Sequence, residues 1–225
     1  MANETTLYIH IGTRWTQVYY ESLHLLDTDP LWTLKDVHAL LGDFQFLGAT
    51  LVDTVVISSH VKELTSVFSA YAKKVLQTEA TILQPKQSML ALPDTTPTDV
   101  VGVIHAHAGE VVYIGLQEHV TISYVNDGYF QGFLQGPTIP LDPQTQMPAR
   151  LHLAKSESAA SIQGAIVGVI GFIESALRLI RPHQDATLVV YGPLAKWMSP
   201  YIEEAHTLDA TALFKGMKHL IQHVE

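Results

Sequence analysis

The sequence predicts an α/β fold made of two similar halves, and three observations carry that reading. Short β-branched runs at 7–11, 54–59, 111–114 and 187–190 interleave with stretches of helical spacing at 61–75, 158–181 and 210–224, instead of segregating into blocks. A strand–turn–strand unit opens the chain, and a second such unit occupies 110–136. The 225 residues, 47% of them hydrophobic, also supply enough apolar surface for one large or two modest cores.

Residues 7–11 and 15–20 read as strands joined through Gly12, Thr13 and Arg14, an opening hairpin. Residues 36–41 have helical character, and Gly42 suits the end of that helix. The run 54–59 is a buried strand ending in Ser58 and Ser59, side chains that either bond a ligand or cap the helix that follows. That helix, 61–75, places Val61, Leu64, Val67, Phe68, Tyr71 and Val75 on one stripe. After a short strand at 80–83, the polar segment 85–97, bounded by prolines, is the expected boundary between halves 1–97 and 98–225. Asp99 reads as a loop residue opening a strand, and His105 and His107 then alternate on one strand face.

The central unit has one strand at 111–114, ended by a turn at Gly115, and a second at 120–125. Asn126, Asp127 and Gly128 form a turn that tolerates positive φ, and a third strand begins at Tyr129. Proline-rich 136–149 reads as loop. Ser156 or Ser158 caps a helix running to 181, where Pro182 stops it. Its small residues Ala160, Gly164, Gly168 and Gly171 lie near one stripe, where another helix could come close. A strand at 187–190, a turn at 191–193 and helices at 194–204 and 210–224 complete the chain.

Composition narrows the function. Without cysteine, disulfides and thiolate metal sites are excluded and a reducing, cytoplasmic setting is expected. A net charge of −9 argues against non-specific nucleic-acid binding and requires any phosphate site to be local and built mainly from backbone. The longest apolar run, 165–173, is short of the roughly 20 residues a membrane span needs, so no membrane partner is expected. The 12 histidines show no His-Glu-x-x-His spacing and read as scattered polar residues, with no metal site.

Taken together, these pieces resemble the type III pantothenate kinase family, also called Bvg accessory factor-like proteins, within the actin/sugar-kinase/Hsp70 superfamily. The resemblance spans most of the chain and rests on order and spacing. Ile9-His10-Ile11-Gly12-Thr13-Arg14 stands where the family has Asp-x-Gly-Asn-Thr, and Ile57-Ser58-Ser59-His60-Val61 is similar to its Ile-Ser-Ser-Val strand end. Pro97-Thr98-Asp99-Val100 falls at the Gly-x-Asp-Arg motif, and residues 110–136 follow the Asp-Phe-Gly-Thr-Ala-Thr-Thr run. Gln163-Gly164 with Gly168 and Gly171 has the spacing of the glycine helix, Tyr191-Gly192-Pro193 replaces Thr-Gly-Gly, and Leu213-Phe214-Lys215-Gly216-Met217 resembles the closing helix.

The resemblance implies two ribonuclease H-like halves with mixed sheets flanked by helices, ATP and Mg²⁺ as cofactors, a monovalent cation, a small-molecule ligand and a homodimer through the 158–181 helix. It implies Asp99 as catalytic base, Gly12, Thr13, Arg14, Gly115, Gln117 and Gly192 at the phosphates and nucleotide, and Gly102, Ser156 and Glu157 at the substrate. The departures point one way. His10 replaces the metal-holding aspartate, Tyr113 a second aspartate, and Val100 the catalytic-motif arginine. Glu118 and His119 crowd a threonine turn meant for phosphates. Imidazole is a poor exchange for a carboxylate at Mg²⁺. The sequence therefore supports a kinase-like protein with eroded catalytic motifs, against the alternatives of an active pantothenate or small-molecule kinase using Asp99 and of a regulatory or ligand-sensing protein.

Overall fold

A computed structural model describes residues 5–21, 25–30, 52–85, 88, 92–140, 147–148, 150–180, 183 and 185–223. The chain divides into two compact units, Met1–Ala106 with Phe214–Glu225, and His107–Leu213. The division falls nine residues after the expected 97 (106 against 97), and the C-terminal segment joins the first unit.

The first unit holds a five-stranded sheet of β1 (Thr6–Ile11), β2 (Trp15–Tyr20), β3 (Leu25–Pro30), β4 (Thr54–Ser59) and β5 (Ala80–Ile82), in the order β3-β2-β1-β4-β5. β1 pairs antiparallel with β2 and parallel with β4, and is buried along its whole length, which is why it reads as a nearly unbroken apolar run. The crossover from β4 to β5 is α1 (Lys62–Tyr71), prolonged by a π-helical turn at Ala72–Leu76 and stopped by Gln77 at φ 56°. Leu64, Phe68 and Ala72 pack on Leu7, Ile9, Val55 and Ile57 to form the core.

Residues 98–103 form the short helix α2 (Thr98–Val103), where the sequence reading put a strand. Pro97 presets the first turn, and Asp99 lies at its favourable N-terminal end. The β-branched run Val100-Val101-Gly102-Val103 is completely buried, and that burial overrides its strand preference. Gly102 meets Gly216 of α5 (Ala212–His223): a Cβ on Gly216 would lie 1.7 Å from the Gly102 carbonyl oxygen, so only glycine allows the contact. Phe214 stacks on Tyr19 at 5.4 Å. The histidine segment after α2 is turn and bend, not strand.

The second unit contains β6 (Val111–Leu116), β7 (His119–Asn126), β8 (Tyr129–Thr138), β9 (Thr187–Tyr191) and β10 (Thr207–Leu208), in the order β10-β9-β6-β7-β8. Counted within each unit, both sheets therefore run third-second-first-fourth-fifth, the two similar halves the sequence predicts. The β7–β8 turn has Asp127 at φ 49° and Gly128 at φ 77°, as its Asn-Asp-Gly sequence requires. β8 continues past 136, where loop was expected. α3 (Glu157–Ile180) starts at Ser156, whose hydroxyl accepts the Ala159 N–H at 3.3 Å. It lays Ile166, Val169, Ile173, Ala176 and Leu177 on Val112, Ile114, Ile122 and Val190.

α3 is long and apolar enough to cross a membrane by length and composition, more than its central run suggests, yet its buried stripe is the core of this unit. Its glycines do not mediate that packing: nothing lies within 4 Å of where a Cβ would sit on Gly164, Gly168 or Gly171. The close approach comes from Gly136 of β8, which receives the Phe172 ring. After β9 the chain makes only a short helix, α4 (Ala195–Met198), and a 3₁₀ turn at Ser199–Tyr201, because Pro200 interrupts the helix expected over 194–204. The helix expected at 36–41 lies outside the described residues.

Candidate functional site

In the first unit, polar chemistry gathers at the C-terminal ends of β1 and β4. The parallel register sets His10 beside Ser58 and Ile11 beside Ser59. His10 Nδ1 lies 3.1 Å from Ser58 Oγ, and both residues are fully buried. The next residue, His60, donates its backbone N–H to the Ile11 carbonyl at 2.8 Å and turns its ring edge-on to His10, centroids 5.7 Å apart. Its Nε2 reaches Asp99 Oδ1 at 3.4 Å. Burial alone would push the Asp99 carboxyl up. The His60 imidazole, the His10 ring and the Val100 N–H outweigh that penalty and hold it below the usual carboxylate range, so Asp99 is ionised. The result is a chain of Ser58, His10, His60 and Asp99, in which the first two and Asp99 are buried and His60 reaches the surface.

Ser58 is a member of this network, whereas Ser59 makes a local bond just before the helix: its hydroxyl donates to the Val61 carbonyl and accepts the Val61 N–H, both at 3.0 Å. His60 was not singled out from sequence. The signal was its position between Ser59 and the following helix, but its partner Asp99 is brought to it by α2, which the sequence reading missed. Gly12, Thr13 and Arg14 do form the β1–β2 turn, closed by the Gly12 N–H to the Trp15 carbonyl at 2.9 Å. Thr13 is exposed, and the Arg14 guanidinium sits over the Trp15 ring at 5.8 Å. Gly102 is committed to the Gly216 contact.

In the second unit, Gly115 does not turn the chain. It lies within β6, opposite Thr121 on one side and Tyr191 on the other. A Cβ there would meet Thr121 Oγ1 at 2.3 Å and the Tyr191 hydroxyl at 2.7 Å, so the glycine serves a close cross-strand approach. The turn falls at Gln117 and Glu118, both almost fully buried. Its groups are engaged within the chain: the Gln117 N–H donates to the His119 carbonyl at 3.4 Å, and the Leu116 and Glu118 carbonyls accept from Leu194 and Ile139 at 3.1 and 2.8 Å. Gly192, at φ 100°, packs against the Leu116 carbonyl and the Gln117 side chain. Ser156 and Glu157 stand at the exposed start of α3.

Tyr113 is wholly buried and accepts the His107 N–H at 3.0 Å. Burial, the largest influence, pushes its phenol up to about 12 despite the opposing His107 bond, so the group is neutral. His107 Nε2 lies 3.3 Å from Asp209 Oδ2, and Asp209 also takes the Thr211 N–H and hydroxyl. His105 bonds Ser88 and stacks on His219, and His119 bonds Thr138. Among the described residues no three His, Asp or Glu side chains are grouped to hold a metal. The residues at 10 and 99 do not fit Mg²⁺ either: position 10 is an imidazole bonded to serine, and the Asp99 carboxylate is engaged by His60.

Two five-stranded mixed sheets that repeat one topology define the actin-like ATPase fold, and this chain has it. No protein-family model and no curated protein sequence matches the chain. Solved structures match it along nearly its whole length. An activator of 2-hydroxyisocaproyl-CoA dehydratase from Clostridium difficile, solved with ADPNP, is 10% identical with a TM-score of 0.57, covering 97% of this chain and 96% of its own. A conserved protein from Campylobacter jejuni, assigned to the Baf family of transcriptional activators, is 16% identical with a TM-score of 0.56, covering 96% and 97%. An inorganic polyphosphate/ATP-glucomannokinase from Arthrobacter sp. strain KM is 12% identical with a TM-score of 0.50, covering 98% and 100%.

Proposed function

We propose that this chain is a type III pantothenate kinase-like protein that has lost metal-dependent phosphoryl transfer and acts as a binding or regulatory component. One observation carries the reading. Where a kinase needs unencumbered carboxylates to hold Mg²⁺ and take a substrate proton, this chain has His10 bonded to Ser58 and Asp99 bonded to His60. The β6–β7 turn is in keeping with this reading, since the family resemblance puts phosphates at that turn and Glu118 would bring a buried carboxylate to it. The motif order along the sequence and the fold likeness to a protein assigned to the Baf family are in keeping with this descent.

A second reading, an active ATP-dependent kinase of pantothenate or a related small molecule, draws on Asp99 itself: the carboxylate is ionised, and His60 is placed to relay its proton. A phosphorylation assay with ATP, Mg²⁺ and pantothenate decides between them. The expected result is no turnover above background. Turnover that disappears in Asp99→Asn would overturn the proposal in favour of the active kinase. Turnover that survives Asp99→Asn would refute both assignments of this residue.

A further inference from the structure

We draw no further inference here: the strongest candidate, the open apolar cavity of about 170 Å³ between Ile122, Tyr124 and Leu134 of the second-unit sheet and Leu179 and Ile180 of α3, has its polar rim bonded within the chain, the Tyr124 hydroxyl to Glu110 and the Gln131 amide to the Tyr129 carbonyl, and nothing in the structure shows what covers it.

Discussion

Removing His60 is the sharpest probe of the Asp99 network. In His60→Ala the Asp99 carboxylate, 5% exposed in the unmodified chain, loses the imidazole 3.4 Å away. Breaking a fully buried pair costs about 3–5 kcal/mol, and an exposed one about 0.2–1 kcal/mol. With His60 itself 32% exposed, solvent screens part of the interaction, which places the cost at about 1–2 kcal/mol. The pH dependence follows from the direction of the Asp99 shift. A carboxyl held below its ordinary value stabilises the fold at pH above the unfolded value of about 3.9, and that contribution is lost as pH falls through the folded value. Urea unfolding of the wild type, His60→Ala, Asp99→Asn and the double variant gives the coupling directly. The expected coupling is about 1–2 kcal/mol at neutral pH, shrinking as pH falls through the folded Asp99 value. Additive variants, or a cost for His60→Ala that is the same in acid, would refute the pairing.

Two glycines should respond in opposite senses. Gly216→Ala drives a methyl into the Gly102 carbonyl and is expected to cost about 3 kcal/mol in thermal unfolding, whereas Gly168→Ala meets open space and is expected to gain about 1 kcal/mol from helix propensity. Gly115→Ala, pressed against Thr121 and Tyr191 side chains, is expected to destabilise by about 1–3 kcal/mol on the same measurement. On the surface of the second unit, Glu110 accepts the Tyr124 hydroxyl at 2.7 Å and holds His183 at 2.6 Å, which raises the His183 imidazole above its ordinary value. That pairing stabilises below the unfolded histidine value and fades as pH rises through the folded one, so an NMR titration of His183 should shift downward in Glu110→Gln.

Much of the architecture was legible because it rests on local chemistry. β2 and β4 fall where the sequence read as strands, the Asn-Asp-Gly turn needs positive φ, and Ser156, one of the two serines offered as caps, caps α3. What failed depended on tertiary context. Gly115 looked like a turn because glycine breaks strands, yet it is glycine so that Thr121 and Tyr191 can crowd it. α2 was hidden in a valine run whose burial outweighs propensity. The meeting of Gly102 with Gly216 was invisible because it spans more than a hundred positions in sequence. Of the network's members, His10 and Asp99 were singled out from the sequence, through the family resemblance. His60 and Ser58 gain their roles from the β1–β4 register and from α2, which no local pattern announces.

The central claim, that internal bonds have taken the place of a metal–phosphate site, is tested most directly by isothermal titration of the unmodified chain with Mg-ATP at millimolar concentration. The account predicts no saturable heat, with any dissociation constant weaker than about 1 mM (about −4 kcal/mol). A dissociation constant in the micromolar range would contradict it, because nucleotide would then be bound despite the internal bonding of His10 and the buried Glu118 carboxylate on which the proposed reading rests.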